Sequence, residues 1–290
     1  MDTVFRASFS LLIVLLVPIV GYGQSTQPDL VSAQLLGDVD AVAAGAEFRL
    51  AVLLKIKPGW HIYWKDSGDA GVPTSVRVTL PEGFRAETPR WPVPKTFTEA
   101  GGIVSYGYEN EAPLVLTVHA PQRLVDGATR RFSAEVTWLA CADRCVPGSA
   151  KVHLDLPVSG EPQPANAERV AAWEKHLPVL ADAPNSPARA MVTSTHRQPA
   201  NQNVQMSLNW NRPLRKVEFY PPVHPALKID RDSVTIETNK RATRIRFEAG
   251  LIGDAKTLKE TLDALVVWTD RKGLRHGLEI PVDFDLKRSP

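Results

Sequence analysis

Two cysteines, Cys141 and Cys145, are the residues of this 290-residue chain best suited to chemistry, and the sequence contains no others. In an exported protein an even cysteine count usually indicates a structural disulfide. The spacing argues against that role, because a bridge closing about five residues stabilises by only roughly 2 kcal/mol in the chain-entropy model. A hundred-residue loop would gain about 4.7 kcal/mol. We therefore favour a pair that exchanges its disulfide with thiols of other proteins.

The residues around the pair predict a β-hairpin. Strand-like residues precede Cys141, and Val146 leads into a Pro-Gly turn. A three-residue connection can place both sulfurs side by side at the exposed end of a sheet, within reach of partner thiols. No helix N-terminus is expected nearby to lower a thiol pKa, so the pair differs from a thioredoxin motif. Arg144 and Lys151 favour a thiolate and Asp143 opposes it, so we expect exchange to depend on the activated cysteine of a partner.

Other kinds of site have little support in the sequence. Glycine-rich phosphate loops, a serine nucleophile elbow and the helical His-Glu-x-x-His zinc pattern are absent from it. The seven histidines are scattered, at positions 61, 119, 153, 176, 196, 224 and 276. The net charge is +2 with both signs interspersed, so no basic stripe suits a nucleic acid. We expect no cofactor and no nucleic-acid partner.

Short strands must position the pair. Stretches with a two-residue period and one half-buried face predict a first β-sandwich; they are residues 47–54, 75–80, 114–118, 131–138 and 150–156. A proline-rich segment follows, with helical spacing between Ala165 and Leu177. Strand patterns resume at 204–210, 217–220, 233–237 and 244–247. The predicted fold class is all-β, with a second, smaller β-sandwich after the first.

The N-terminus predicts export. Residues 1–6 precede an apolar run at 11–17, and the small residues Gly21 and Gly23 close the segment. This pattern is typical of a cleaved signal peptide over residues 1–23, because an apolar core this short does not span a bilayer. A retained anchor helix is the alternative. We predict a periplasmic protein, soluble after cleavage, with the cysteine-bearing sandwich at 24–160, a Pro-rich linker with a short helix at 161–187 and the second sandwich at 188–290.

Three stretches resemble the N-terminal periplasmic domain of the DsbD family, especially its ScsB-like copper-tolerance subgroup. They are the cysteine hairpin from Val136 to Pro147, the run from Pro58 to Thr74 and the segment from Tyr106 to Glu109. The resemblance covers residues 28–158 and implies an immunoglobulin-like sandwich. It also implies a dithiol that takes electrons from a membrane-embedded DsbD-like donor and reduces disulfides of exported proteins, with thioredoxin-like periplasmic proteins as partners.

The same resemblance implies roles for individual residues. Cys145 would be the attacking thiolate and Cys141 the resolving thiol. Family members shield the pair with a cap loop, whose counterpart here would run from Glu99 to Tyr108. Tyr106 would be the covering residue, so that Glu99, Tyr106 and Tyr108 are the expected shielding residues.

The chain also departs from that family. Ser105 stands where a phenylalanine is expected, the cysteines lie closer together than in the best-studied members, and their membrane and thioredoxin-like domains are not found in this sequence. The chain would therefore work with separately encoded partners, and the cysteine-free second sandwich would dock or orient them. Two alternatives stay open. One is a binding or adaptor module with a structural disulfide; the other is a copper site of Cys141, Cys145 and His153, since thiolates bind Cu(I).

Overall fold

The computed structural model of the chain describes residues 30–98, 100–198, 200–214 and 216–288. The predicted signal peptide and Glu99 lie outside these described residues. Across the described ranges, none of the helical segments has both the length and the apolar character that a bilayer crossing requires. The fold there consists of two β-sandwiches, with helix α1, Ala167–Glu174, between them in the sequence.

Ten strands form the first sandwich. They are β1 Val31–Gly37, β2 Glu47–Ile56, β3 His61–Gly68, β4 Ser75–Thr79, β5 Arg85–Ala86, β6 Lys95–Thr98, β7 Val104–Glu109, β8 Glu111–His119, β9 Thr129–Cys141 and β10 Cys145–Pro157. Sheet 1 has the order β1-β2-β8-β5, and sheet 2 has the order β10-β9-β3-β7-β6, with β4 also paired to β9. Two antiparallel sheets packed face to face confirm the all-β, immunoglobulin-like prediction.

Eight further strands form the second sandwich. They are β11 Val179–Leu180, β12 Ala188–Gln198, β13 Asn201–Trp210, β14 Val217–Tyr220, β15 Leu227–Asn239, β16 Ala242–Leu251, β17 Thr257–Thr269 and β18 Arg275–Lys287. Sheet 3 has the order β11-β18-β17-β14, and sheet 4 the order β12-β13-β16-β15. Strand β11 lies in the segment expected to be a linker, and it joins sheet 3 by pairing in parallel with β18.

Helix α1 accounts for the burial of β2 on both faces. Leu50, Val52 and Leu54 belong to the sandwich core, as the two-residue period requires. The alternate residues are also buried, because α1 and the turn after it cover the outer face of sheet 1. The contacting residues are Val170, Trp173 and Leu177 against Ala51, Leu53 and Val115. The helix therefore packs on the sheet that does not carry the cysteines.

Strand β9 pairs along one edge with two successive strands. Its end, Ala140 and Cys141, pairs with Ile62 and His61 of β3, whereas residues 133–137 pair with β4. Between these two pairings the chain leaves the sheet through residues 69–74, which we call the β3–β4 loop. The loop therefore lies beside the cysteine end of β9.

The two sandwiches share an apolar contact centred on Tyr220 of β14. Its ring lies 5.8 Å from the ring of Trp64 and 4.6 Å from the ring of Tyr106, both in the first sandwich. Leu265 and Val267 of β17 belong to the same core cluster. The Tyr220 hydroxyl, which is buried, lies 2.8 Å from Thr96 Oγ1. The first sandwich is thus completed by residues of the second.

Glu279, on β18 at this contact, supplies a pH-dependent test of the interface. Burial raises the pKa of its carboxyl more than the nearby Lys65 and Arg90 lower it, and Asp263 raises it further. A raised pKa means that the ionised carboxylate costs stability, a cost that appears as the pH rises from about 4.3, the ordinary glutamate value, through the folded-state pKa. We expect Glu279→Gln to raise the free energy of unfolding at pH 7, by less than about 1 kcal/mol because the side chain is partly solvated.

Urea unfolding at pH 7 and pH 4 measures this effect. Most of the gain should disappear at pH 4, where the glutamate is mostly protonated in both states. Glu82→Gln, at an exposed turn position, is the control and should change neither value. A loss of stability in Glu279→Gln at pH 7 would contradict the interpretation.

Candidate functional site

The two cysteines form a disulfide at the end of the hairpin between β9 and β10, as the sequence predicts. Cys141 is the last residue of β9 and Cys145 the first of β10; they face each other directly in the ladder with their Cα atoms 4.1 Å apart. The connecting turn is closed by a 3.0 Å hydrogen bond from the Ala142 amide to the Arg144 carbonyl. A three-residue turn is sufficient because the antiparallel ladder itself brings the pair together.

The two sulfur-bearing residues differ sharply in exposure. Cys141 is only 2% exposed, whereas Cys145 is exposed to solvent. The reason lies in strand alternation: Phe132, Ala134, Val136, Trp138 and Ala140 fill the sandwich core, so Cys141 lies on the outer face of sheet 2. Burial there requires side chains or a loop that cover the outer face of sheet 2. Such a cover leaves Cys145 as the sulfur that another protein can reach.

Strand β3 supplies the first part of that cover. His61 pairs with Cys141 across the ladder, and Tyr63, two residues on, lies on the same face. The buried Tyr63 hydroxyl donates a hydrogen bond to Cys141 Sγ at 3.4 Å. Thus a phenol hydroxyl contacts the less accessible sulfur, on the side opposite to Cys145 in the strand order β10-β9-β3.

Phe97 on β6 supplies the second part. Its ring stacks on His61 at a centroid distance of 4.6 Å and an interplanar angle of 20°. The His61 ring in turn meets Tyr63 edge to face at 5.4 Å. We call these three residues, His61, Tyr63 and Phe97, the aromatic cover. Aromatic pairs in such arrangements add about 0.5–1.5 kcal/mol beyond area burial, which favours an ordered cover over Cys141.

The β3–β4 loop closes over the aromatic cover at Gly71. A Cβ placed on Gly71 would lie 2.2 Å from Tyr63 Cζ, so the backbone of the loop is in direct contact with the end of the phenol ring. The residue has φ +96°, a conformation that suits glycine. The loop is further tied by a 3.3 Å hydrogen bond from Ser67 Oγ to the Gly71 carbonyl. Tyr63 is therefore held between the loop and Cys141.

The two tyrosines expected to shield the pair, Tyr106 and Tyr108, do not lie on the same face of sheet 2 as Cys141. Tyr106 and Tyr108 lie on β7 on the face that includes Ile62, which is the core face of sheet 2 and the opposite side from Cys141. The Tyr108 hydroxyl donates to the Pro92 carbonyl at 2.8 Å, and burial raises its pKa well above the ordinary value. Tyr106 packs against Tyr220 of the second sandwich. Neither tyrosine is brought to the disulfide, and Glu99 lies outside the described residues.

Phe97 is the residue that sequence reasoning missed. It pairs with Ser105 in the β6–β7 ladder, so its side chain lies on the face of Ser105 and Gly107 rather than on that of Tyr106. The aromatic ring expected in place of Ser105 is therefore provided from the neighbouring strand. The short alternation Lys95 to Thr98 was the available signal, but only the register with β7 shows which face Phe97 occupies.

The charges near the pair are fewer than the sequence suggests. Arg144 and Asp143 lie at the exposed turn, as predicted. Lys151 lies six residues along β10 from Cys145, about 20 Å away at the usual strand rise. Its ammonium instead forms a 2.6 Å ion pair with Glu135 on β9. Lys151 therefore does not contribute to the environment of either sulfur.

The residues weighed for a copper site are also separated. His153 lies on β10 eight residues from Cys145, about 26 Å at the usual strand rise. Within the ranges that the structure describes, no group of three or more His, Cys, Asp or Glu side chains is arranged to hold a metal ion. The geometry therefore suits thiol–disulfide exchange, in which an exposed sulfur is attacked and a covered sulfur leaves.

Comparison with known proteins agrees with this geometry. Residues 27–157 match the family described as thiol:disulfide interchange protein DsbD, N-terminal. The crystal structure of the N-terminal periplasmic domain of ScsB from Proteus mirabilis matches with a TM-score of 0.56 and 18% identity, covering 89% of this chain and 92% of that one. The reduced DsbD N-terminal domain of Neisseria meningitidis matches with a TM-score of 0.25 and 12% identity, over 45% of this chain and 90% of that one. No curated protein matches significantly. The ScsB likeness extends the shared fold over both sandwiches.

Proposed function

Because residues 27–157 belong to the family of DsbD N-terminal domains, we propose that this chain is a periplasmic thiol–disulfide exchange protein whose reacting groups are Cys141 and Cys145. It relays electrons from a membrane-embedded DsbD-like donor to thioredoxin-like proteins or other exported proteins with disulfides. The observation that carries the proposal is the asymmetry of the pair: Cys145 is exposed, and Cys141 is covered and hydrogen-bonded to Tyr63. The predicted signal peptide supports the compartment.

Reduction of the disulfide begins at Cys145. The donor thiolate attacks Cys145 Sγ, because Cys141 is inaccessible; a new S–S bond forms and the bond between the two cysteines breaks. The bonding electron pair goes to Cys141 Sγ, where the Tyr63 hydroxyl stabilises the departing thiolate. The second thiol of the donor, as its thiolate, then attacks the donor sulfur of the mixed disulfide and releases Cys145. The donor ends oxidised and the pair reduced, with two electrons transferred.

Delivery of the electrons reverses these roles. The Cys145 thiolate attacks a recipient disulfide, forms a mixed disulfide and releases one recipient thiolate. Cys141 then attacks Cys145 Sγ, which restores the internal disulfide and releases the second recipient thiolate. Cys145 thus makes every bond to a partner, and Cys141 closes the cycle. This division agrees with the exposure of the two residues and needs no metal ligand.

The redox equilibrium of the pair with glutathione tests the proposal against a structural bridge. Structural disulfides of secreted proteins typically have potentials below about −300 mV and resist the glutathione pool. We expect the Cys141–Cys145 pair to equilibrate above that value and to be reduced by a purified thioredoxin-like dithiol protein. A potential below that range, with no reduction by such a protein, would favour the binding-module alternative.

Tyr63→Phe tests the role of the phenol. A hydrogen bond to a thiolate stabilises the charged form and lowers its pKa, and a thiol of lower pKa leaves faster. Removing the hydroxyl should therefore slow reduction by dithiothreitol about three- to tenfold. Tyr108→Phe is the matched control, because it removes an equally buried hydroxyl from the opposite face of sheet 2. Equal rates in wild type and Tyr63→Phe, measured by stopped-flow thiol labelling, would contradict the role.

A further inference from the structure

A side chain of the second sandwich contacts the loop that covers the redox pair. Arg231 on β15 places its Nε 3.2 Å from Asp69 Oδ1, at the start of the β3–β4 loop. Its Nη1 donates to the Tyr106 hydroxyl at 3.3 Å, and its guanidinium carbon lies 5.7 Å from the centre of that ring. One arginine therefore joins the second sandwich to both the loop and β7.

Asp69 connects Arg231 to strand β7 of the first sandwich. Its second carboxylate oxygen accepts a 2.9 Å hydrogen bond from the Val104 amide, and its own amide donates to the Val104 carbonyl at 2.8 Å. Asp69 is thus fixed to β7 through backbone and side chain together. Arg231, from the second sandwich, forms an ion pair with the other oxygen of that carboxylate.

The guanidinium also offsets a local excess of negative charge. Asp66, three residues before Asp69, accepts a hydrogen bond from the Gly68 amide at 3.0 Å. Burial raises the pKa of Asp66 and the charge on Asp69 raises it further, whereas Arg231 lowers it. Without Arg231, the two carboxylates would repel each other at the base of the loop with less compensation.

The loop continues from Asp69 directly to the cover of Cys141. Two residues later, the Gly71 backbone is in contact with the end of the Tyr63 ring, so closely that no side chain would fit between them. The Tyr63 hydroxyl bonds Cys141 Sγ. A continuous series of contacts therefore runs from Arg231 through Asp69, Gly71 and Tyr63 to the covered sulfur.

We propose that Arg231 is a positioning residue for the redox pair: it holds the β3–β4 loop against Tyr63, so that the second sandwich sets the rate at which Cys141 leaves. This inference rests on the proposed exchange function and gives the cysteine-free second sandwich a role in it. An arginine suits the position because its planar group can engage Asp69 and Tyr106 at once, whereas a lysine ammonium is a single point charge.

Arg231→Gln is the test, in the full-length exported chain without its signal peptide. Loss of the guanidinium should free the loop and loosen Tyr63, so reduction by dithiothreitol should slow about threefold or more, as in Tyr63→Phe. In the Tyr63→Phe background, Arg231→Gln should have no further effect, since the hydroxyl through which it acts is gone. Arg231→Lys keeps the charge and should give a rate between those of wild type and Arg231→Gln.

Arg246→Gln is the matched control, because Arg246 lies on the same sheet and bonds Gln205 and Glu237 of the second sandwich. Dithiothreitol should reduce the disulfide of Arg246→Gln at the wild-type rate. A wild-type rate in folded Arg231→Gln overturns the proposal, and so does an equal slowing in the presence and absence of the Tyr63 hydroxyl. If circular dichroism shows that Arg231→Gln is unfolded, Arg231→Lys decides, and a wild-type rate in that variant overturns the proposal.

The same experiment separates this inference from the proposed function. If dithiothreitol reduces the wild-type disulfide but thioredoxin-like proteins do not, the exchange function fails, while the comparison of Arg231 variants still reports on the contact series. If both reagents reduce the wild-type disulfide and Arg231→Gln is reduced at the same rate as the wild type, the exchange function stands and only the positioning role of Arg231 fails.

Discussion

Cys145→Ser is expected to abolish disulfide exchange, whereas Cys141→Ser is expected to accumulate a mixed disulfide with the partner. The physical reason is the exposure of the two positions: Cys145 is exposed at the first residue of β10, and Cys141 is 2% exposed beneath the aromatic cover. In Cys141→Ser, Cys145 can still attack a partner disulfide, but no second thiol resolves the product. Non-reducing gel electrophoresis of periplasmic extracts, with mass spectrometry of the shifted bands, measures both outcomes.

The reciprocal pattern would contradict these assignments. Mixed disulfides that form with Cys145→Ser but not with Cys141→Ser would make Cys141 the attacking residue and would require the aromatic cover to open. The variant lacking both cysteines is the control for bands that do not depend on the pair. If Cys141→Ser captures no partner while its Cys145 thiol reacts with a labelling reagent, a relay function loses its main support.

The cysteine hairpin was within reach of sequence analysis because it depends on local rules. Alternation in β9 and the three-residue connection are encoded within about twenty residues, and a direct cross-strand pair follows from them. The Pro-Gly turn expected after Val146 was wrong, because Pro147 and Gly148 continue β10 and pair with Leu139 and Trp138. The same alternation predicted five of the ten strands of the first sandwich, which are β2, β4, β8, β9 and β10. Local rules also indicated the helical stretch that contains α1.

The cover of the pair could not be predicted in the same way. The hydrogen bond from Tyr63 to Cys141 joins residues 78 positions apart, and it exists because β3 pairs with the end of β9. A sequence shows which residues of a strand share a face, but not which strand lies beside it. The expectation for Tyr106 and Tyr108 placed them near the disulfide, and only the register shows that they face the core.

Strand β17 illustrates a second limit. Residues 264–268 are all buried, so the two-residue alternation that predicts a strand is missing there. Ala264, Val266 and Trp268 pack into the core of the second sandwich, whereas Leu265 and Val267 join the core of the first. The strand is covered on both sides because the sandwiches pack together. The contact between the two sandwiches therefore removes the alternation by which the strand would be recognised. That contact belongs to the tertiary structure, which a local sequence pattern does not show.

Gly107→Ala is expected to destabilise the site and the sandwich together, by about 3 kcal/mol, the upper end of the usual overpacking cost. Gly107 lies opposite Tyr63 in the β3–β7 ladder, and an added Cβ would lie 2.0 Å from the Ile62 carbonyl oxygen. Because that neighbour is backbone in a paired strand, it cannot rotate away, so β7 must separate from β3. Strand β6 is paired to β7, and its displacement would carry Phe97 away from His61.

Urea unfolding followed by tryptophan fluorescence measures the loss, and Gly160→Ala is the matched control. Nothing lies within 4 Å of a Cβ at Gly160, so that variant should stay within about 0.5 kcal/mol of wild type. If Gly107→Ala were as stable as Gly160→Ala, the close pairing of β3 with β7 would be wrong. The aromatic cover would then lack the strand register that places Phe97 against His61, since β6 is joined to β3 through β7.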